Sequence, residues 1–287
     1  MVDTFKAQTL EETLSLLESG EFTVLAGGTD LMVKKHSWSG TLPRFDKPPL
    51  FVAELPELQS VKSERGVLSV GAAVRLADIL TDDTVPEILK QAVSSMASPA
   101  IRNMGTLGGN LCNASPAGDT LPVLYALGTG VLLKSAHGER ELPVEKFILG
   151  PGKTALQSGE LLVSVRVPLN AYDFTYYKKV GARKADAISK LSFAGLAETE
   201  QGILKNIRIA VGAVGPTVVR LPEAERCLVG TPLKKLHPEQ VCALYADSVR
   251  PIDDQRSSAV YRKTVAMNLI RHFIEELSRF SPNGKPE

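Results

Sequence analysis

The sequence predicts an α+β protein built as a two-part N-terminal domain followed by a C-terminal domain of antiparallel strands and helices. Three observations carry this. Strand-like and helix-like stretches alternate over residues 1–55, which favours a βαβ unit and a parallel sheet. A second mixture of strands and helices fills residues 56–170. From residue 171 three strand patterns follow one another and then only helical patterns remain, the order expected of a separate α+β domain. A chain of 287 residues has room for two or three modest domains. The boundaries are therefore set at 1–170, divided near 55/56, and 171–287.

Each element has a local reason. "TLEETLSLLES" opens with a capping box, Thr9 accepting from the amide near Glu12 and Glu12 reaching back. Leu10, Leu14 and Leu17 then share one face, so a helix begins there. "FTVLAGG" is a short apolar strand running into a Gly-Gly turn. "TDLMVKK" starts a second helix with Thr29 or Asp30 as its cap, and "PLFVAEL" is the next strand. "GVLSVGAAV" reads as a strand, "RLADILTDD" as a short helix and "VPEILKQAVSSMAS" as a longer one. "TLPVLYALG" is helical, "GVLLKSAHGERELPV" a hairpin turning at His137-Gly138, and "ELLVSVRVP" a strand. Three strands come next, "FTYYKKVGAR", "SKLSFAGLAET" and "LKNIRIAVGAV". "LPEAERCLVG", "HPEQVCALYADSV" and "SSAVYRKTVAMNLIRHFIEELSRF" are helical, and the last few residues read as a loose end.

Composition removes several function classes. The chain is 44% hydrophobic and 23% charged, ordinary for a globular protein. A formal charge of +1 gives no basic excess for nucleic acid or an anionic membrane. Gly and Pro break the longest apolar runs before they reach the roughly 20 residues of a spanning helix. "MVDTFKAQTLEET" has no basic region followed by an apolar block, so no secretory signal is read. Cys112, Cys227 and Cys242 form neither a C-x-x-C pair nor a disulfide framework, which points to a reduced, cytoplasmic compartment.

Two glycine-rich segments stand out, "LAGGTDL" at residues 25–31 and "TLGGNLCN" at 106–113. The second belongs to "TLGGNLCNASPAGD", a stretch of loop-forming residues in the middle of the chain with little to bury. Glycine lets backbone approach a ligand closely and take positive φ, and successive backbone N–H groups in such turns bind anions. Two such loops could hold one diphosphate. The alternative is a pair of tight turns. Thr29, Thr106, Asn110 and Asn113 add hydroxyl and amide groups suited to a ribose or diphosphate chain. Asp30 opposes that reading unless its carboxylate turns aside to cap the helix.

Other motifs are excluded. "LGPGKTAL" lacks the first glycine of a nucleoside-triphosphate loop, since position 147 is Phe147, and it reads as a turn between elements. No G-x-G-x-x-G follows the first strand, no G-x-S-x-G is present, and His36, His137, His237 and His272 show no metal-ligand spacing. "HSWSG", with Trp38, reads as an exposed loop.

"VLAGGTDLM", "IRNMGTLGGNLCNASPAGD", "GPGKTALQSGELLVSVRVP", "YYKKVGARKADAIS" and "AVGAVGPTVVR", in this order, resemble the FAD-binding medium subunit of the molybdenum hydroxylases, the family of xanthine dehydrogenase and carbon monoxide dehydrogenase. The likeness spans nearly the whole chain. It implies a two-part FAD-binding domain of the PCMH type, followed by the C-terminal flavoprotein domain, with FAD bound non-covalently. The first loop implies FAD contacts at Val24, Leu25, Ala26, Gly27, Gly28, Thr29, Asp30 and Leu31. The second implies Thr106, Leu107, Gly108, Gly109 and Asn110, with Asn113 and Asp119 as further polar contacts. Leu162 matches an apolar residue near the flavin and Lys179 a flavin-proximal cation, which would favour an anionic reduced flavin. Without the resemblance, Lys179 reads as an exposed strand lysine. Arg102 either touches FAD or braces the loop, and Cys112 reads as a small buried residue rather than a redox thiol.

The implied function is electron transfer. A molybdenum-binding large subunit oxidises substrate, a 2Fe-2S small subunit relays electrons, and the flavin passes them to NAD, oxygen or a quinone. This chain then needs no general base, holds no metal, and contacts neither nucleic acid nor the membrane interior. "HSWSGTLPRFDKPP" has no cysteine, so an extra iron–sulfur cluster there is not expected. Two other readings are a self-sufficient flavin oxidoreductase and a scaffold that has lost FAD. The absence of an acid–base constellation opposes the first, and the intact glycines and Asn110 oppose the second. If the glycines serve a ligand, replacing Gly27 or Gly108 by valine should abolish FAD binding and largely spare the fold.

Overall fold

The computed structural model describes residues 4–36 and 43–281. The expectations for the Trp38 loop and for the last residues of the chain lie outside them. Two compact units are present and interleave in sequence. The first comprises residues 1–85, 97–115 and 129–168; the second comprises 86–96, 116–128 and 169–287.

In the first unit, the opening βαβ pattern forms a three-stranded parallel sheet. Pro49–Phe51 lies at its centre between Phe5–Lys6 and Thr23–Leu25, with Leu50 opposite both Phe5 and Val24. The edge strand Phe5–Lys6 has only two residues, too short for an alternation to reveal. Helix Leu10–Ser19 starts at Thr9, whose side chain accepts from the Glu12 amide at 3.1 Å. The reciprocal bond runs from Gln8 N–H to Glu12 at 2.7 Å, one residue earlier than a standard box. Leu10, Leu14 and Leu17 are buried with Leu50, Leu55 and Leu58 and with Leu161 and Val163 of the neighbouring sheet, so one core serves both sheets.

That neighbouring sheet is antiparallel, in the order Val61–Glu64, Val67–Gly71, Leu161–Pro168, Gly130–Ser135, Gly138–Pro143. Arg65 and Gly66 both take positive φ, 50° and 76°, and close the first hairpin in two residues, the geometry that matches strand twist. The second hairpin turns at Ala136-His137, one position before the expected dipeptide. "GPGKT" forms the small hairpin Ile148–Gly150 with Lys153–Thr154.

The second unit is a four-stranded antiparallel sheet, in the order Phe174–Val180, Leu191–Glu200, Ile203–Gly212, Val219–Arg220. Helices cover both faces, so residues 191–197 are buried without alternation. Helix Ala259–Arg279 packs on one face, where a Cβ on Gly195 would stand 2.5 Å from Phe273. Helix Leu121–Leu127 packs on the other, where a Cβ on Gly212 would stand 2.8 Å from Pro122. Among the described residues, no helix is long and apolar enough to cross a membrane.

Candidate functional site

Strand Thr23–Leu25 delivers the chain into Ala26, Gly27, Gly28, Thr29 and Asp30, and helix Leu31–Lys35 follows. Val24 is exposed and Leu25 buried; Ala26 through Thr29 and Leu31 are half-buried, and Asp30 is exposed. Gly28 has φ +69°, a left-handed conformation that favours glycine. Among the described residues, no group accepts a hydrogen bond from the backbone N–H of Ala26, Gly27, Gly28, Thr29 or Asp30. The segment thus presents five consecutive free donors.

The second glycine segment differs from its reading as a loop. Leu107–Asn113 is a short helix, with the Thr106 side chain accepting from Gly109 N–H at 3.1 Å. Its first amides are committed to the protein. Leu107 donates to Val74 O at 3.1 Å, Gly108 to Ala72 O at 3.0 Å and Asn110 to Thr106 O at 3.0 Å. The backbone N–H groups of Leu107, Gly108, Gly109 and Asn110 are therefore taken within the protein, whereas those of Ala26 to Asp30 in the first segment are not, among the described residues. Gly108 is glycine because a Cβ would stand 2.6 Å from Ala72 Cβ and O. Gly27 is glycine for a like reason: its Cβ would stand 1.9 Å from Met104 O. The first segment thus lies against the Met104–Gly105 backbone and the second against Ala72, so a side chain at either glycine would force backbone to shift, which counts against the expectation that valine there spares the fold. Thr106, Leu107 and Gly108 are buried, Gly109 is exposed and Asn110 half-buried.

Neither Thr29 nor Asp30 caps helix Leu31–Lys35 with its side chain. The Asp30 carboxylate instead pairs with Lys34 at 2.8 Å. Lys34 also donates to Asn113 Oδ1 at the end of the Thr106-capped helix. Arg102 donates to Ala97 O at 2.8 Å, a bracing contact within the segment before Gly105. Burial pushes the Cys112 thiol up to about 12, so it stays protonated near neutrality, and Leu162 is buried within the five-stranded sheet.

Asp119 and Lys179 both fall in the second unit, and the structure brings them together. Lys179 Nζ lies 2.7 Å from Asp119 Oδ2 and donates to Ser95 O at 3.0 Å. Ser189 Oγ donates to Asp119 Oδ1 at 2.5 Å, and Tyr177 OH to Asp119 O at 3.3 Å. Lys179 is thus a nearly buried, paired cation rather than an exposed strand lysine. Burial raises the Asp119 carboxyl above its ordinary range, while Lys179 and Ser189 oppose the rise. Burial and the Asp119 charge push the Tyr177 phenol well above its usual value. Ser95 lies in no motif; Tyr177 and Ser189 lie within "YYKKVGARKADAIS", but nothing in that stretch singles out their contacts with Asp119. Lys34 had a signal, since it stands four residues after an acidic residue on a helix.

A loop of free amides on an α+β framework is an architecture suited to binding an anion. Residues 1–170 match the FAD binding domain in molybdopterin dehydrogenase, and residues 175–277 the CO dehydrogenase flavoprotein C-terminal domain. The glyceraldehyde dehydrogenase medium chain of Sulfolobus acidocaldarius is 32% identical over 280 residues, covering 95% of this chain and 97% of that one. The xanthine dehydrogenase FAD-binding subunit of Escherichia coli O157:H7 is 27% identical, covering 94% of each. In structure, the reconstituted CO dehydrogenase of Oligotropha carboxidovorans matches with TM-score 0.88 at 25% identity, over 97% of this chain and 98% of that one. The chain belongs to the FAD-binding medium-chain family of xanthine dehydrogenase and carbon monoxide dehydrogenase, whose members are oxidoreductase subunits.

Proposed function

We propose that this chain works as the electron-transfer subunit of a cytoplasmic molybdenum hydroxylase complex. In this reading it takes electrons from 2Fe-2S clusters on a small subunit and passes them to NAD, oxygen or a quinone, while a large subunit carries the molybdenum cofactor and oxidises the substrate. The observation that supports it most is the run of free N–H groups from Ala26 to Asp30, on the glycine segment that matches the family. Such donors suit the anionic oxygens of a diphosphate, so the residues present fit FAD.

Bound FAD would supply the redox chemistry, taking up electrons singly and releasing them singly or in pairs. The chain's own residues bind and orient. Ala26, Gly27, Gly28, Thr29 and Asp30 hold the diphosphate through backbone N–H groups, with Val24, Leu25 and Leu31 framing them. Thr106, Leu107 and Gly108 carry the helix of the second glycine segment, and Gly109, Asn110 and Asn113 add further contacts from it. The resemblance implies Lys179 as a flavin-proximal cation, and its ammonium is held by Asp119. It also implies Leu162, buried in the five-stranded sheet, as an apolar residue near the flavin. Residues 1–170, in parts 1–55 and 56–170, act as the FAD domain, and 171–287 as the C-terminal domain.

The purified chain should carry FAD that denaturation releases intact. Flavin that stays with the denatured protein, or FMN in place of FAD, would count against this reading. Alone, the chain should not oxidise purines or aldehydes with an artificial acceptor; co-expression with the iron–sulfur and molybdenum subunits should confer activity. Substrate oxidation by the isolated, metal-free chain would instead establish a self-sufficient flavoenzyme.

A further inference from the structure

Lys34 is absent from the contacts that the family resemblance implies, yet it joins two residues that are among them. It sits in helix Leu31–Lys35, one turn after Asp30, and its ammonium lies 2.8 Å from Asp30 Oδ2. The same ammonium donates to Asn113 Oδ1 at the end of helix Leu107–Asn113. Its neighbour Lys35 is taken up elsewhere, by Asp46 at 2.6 Å. Lys34 and Asp30 are each about half exposed, 56% and 54%, so as a contribution to folding their pair is worth little. Its consequence lies in the local potential. Asp30 carries one of the five free N–H groups and, on the same residue, a carboxylate that repels any anion those groups attract.

We propose that Lys34 is a positioning residue for the cofactor segment, an inference that rests on the FAD reading above. Its ammonium cancels the Asp30 charge, so the donors of Ala26–Asp30 meet a diphosphate without an opposing carboxylate. Its bond to Asn113 fastens the far end of the segment to the second helix. The near end is fastened where Gly27 lies flat against the Met104 carbonyl. Held at both ends, the segment keeps its free N–H groups in place before the ligand arrives, which lowers the ordering cost of binding.

The test is FAD affinity of the apo chain, by flavin fluorescence titration at two salt concentrations, for wild type, K34M, K34R, D30N and the double variant K34M/D30N. Removing one charge beside a diphosphate at a partly exposed site should weaken binding about tenfold in K34M, with a shallower salt dependence. K34R should stay within about threefold of wild type, D30N should bind no more weakly than wild type, and K34M/D30N should recover most of what K34M loses. The thermal midpoint of apo K34M should match wild type, which separates this role from a merely structural one. Equal affinity in K34M and wild type, or a K34M loss that D30N does not recover, overturns the role of Lys34. A wild-type chain that takes up no FAD at all overturns the FAD reading itself.

Discussion

Lys179 reaches Asp119 across 60 positions of sequence, with Nζ 2.7 Å from Oδ2 and only about a tenth of either side chain exposed. The pair joins strand Phe174–Val180 to the residues that lead into helix Leu121–Leu127, on the face of the sheet that this helix covers. Both carboxylate oxygens are engaged, one by Lys179 and one by Ser189, and the ammonium has a second acceptor in Ser95 O. A buried pair satisfied at this many points costs far more to break than to keep.

K179M should therefore leave Asp119 buried without its cation, at a cost of about 3 kcal/mol or more in urea unfolding. K179M/D119N should recover part of the loss. The pH dependence has a definite sign. A carboxyl raised in the fold contributes stability below its ordinary 3.8, and this contribution is lost as pH rises through the folded value. Without Lys179 to oppose burial, that value climbs further, so the deficit of K179M against wild type should widen as pH rises above 3.8 toward neutrality. A deficit independent of pH would show that Asp119 does not feel the ammonium.

Asp254 provides the opposite sign. It accepts from Arg262 Nη2 at 2.6 Å and from the Arg256 and Ser257 amides, and its carboxyl is held down at about 2, chiefly by the Arg262 hydrogen bond. A lowered carboxyl contributes stability above 3.8 that is lost as pH falls toward 2. The wild-type contribution is about 2 kcal/mol by linkage. D254N should lose it at neutral pH and show a flatter acid limb between pH 4 and pH 2. Thermal melts across that range measure both.

The glycines separate by geometry rather than by motif. A Cβ at Gly27 or Gly108 would enter backbone, at 1.9 Å from Met104 O and 2.6 Å from Ala72 O, whereas a Cβ at Gly150 meets nothing within 4 Å. G27A and G108A should each lose about 1–3 kcal/mol of apo stability, and G150A should be near neutral. Gly66 has open space but φ +76°, so G66A should cost about 1 kcal/mol through strain alone. Urea unfolding of the four apo variants ranks them directly.

Legibility followed the range of the interactions. The Thr9 cap and the Leu10–Leu14–Leu17 stripe rest on neighbours within a few residues, and the sequence displays them. Helix Leu107–Asn113 does not rest on its own residues. Two glycines and two asparagines are poor helix formers, and it forms because Leu107 and Leu111 are buried and Gly108 packs on Ala72, 36 positions earlier. The resemblance named Asp119 and Lys179 singly, but their pairing and the parts of Ser95, Tyr177 and Ser189 depend on contacts that no local spacing encodes. The same holds for the commitment of the second segment's amides. A Gly-Gly pair looks alike in sequence whether its N–H groups are free or taken, as here, by carbonyls at Ala72 and Val74 more than 30 residues earlier.

That difference is measurable by hydrogen exchange. In the apo chain the amides of Gly27, Gly28, Thr29 and Asp30 have no acceptor among the described residues, so they should exchange rapidly. The amides of Leu107 and Gly108, bonded to Val74 O and Ala72 O and buried, should already be protected. Adding FAD should slow exchange in the peptide spanning residues 26–31 by at least tenfold while changing the peptide spanning 107–111 much less. Addition of AMP, which lacks the diphosphate, should leave residues 26–31 unprotected. Equal protection of both segments by FAD would mean that the second helix opens to lend its amides as well. No protection of residues 26–31 by a chain that demonstrably binds FAD would remove the first glycine segment from the diphosphate site and leave its free donors without a ligand.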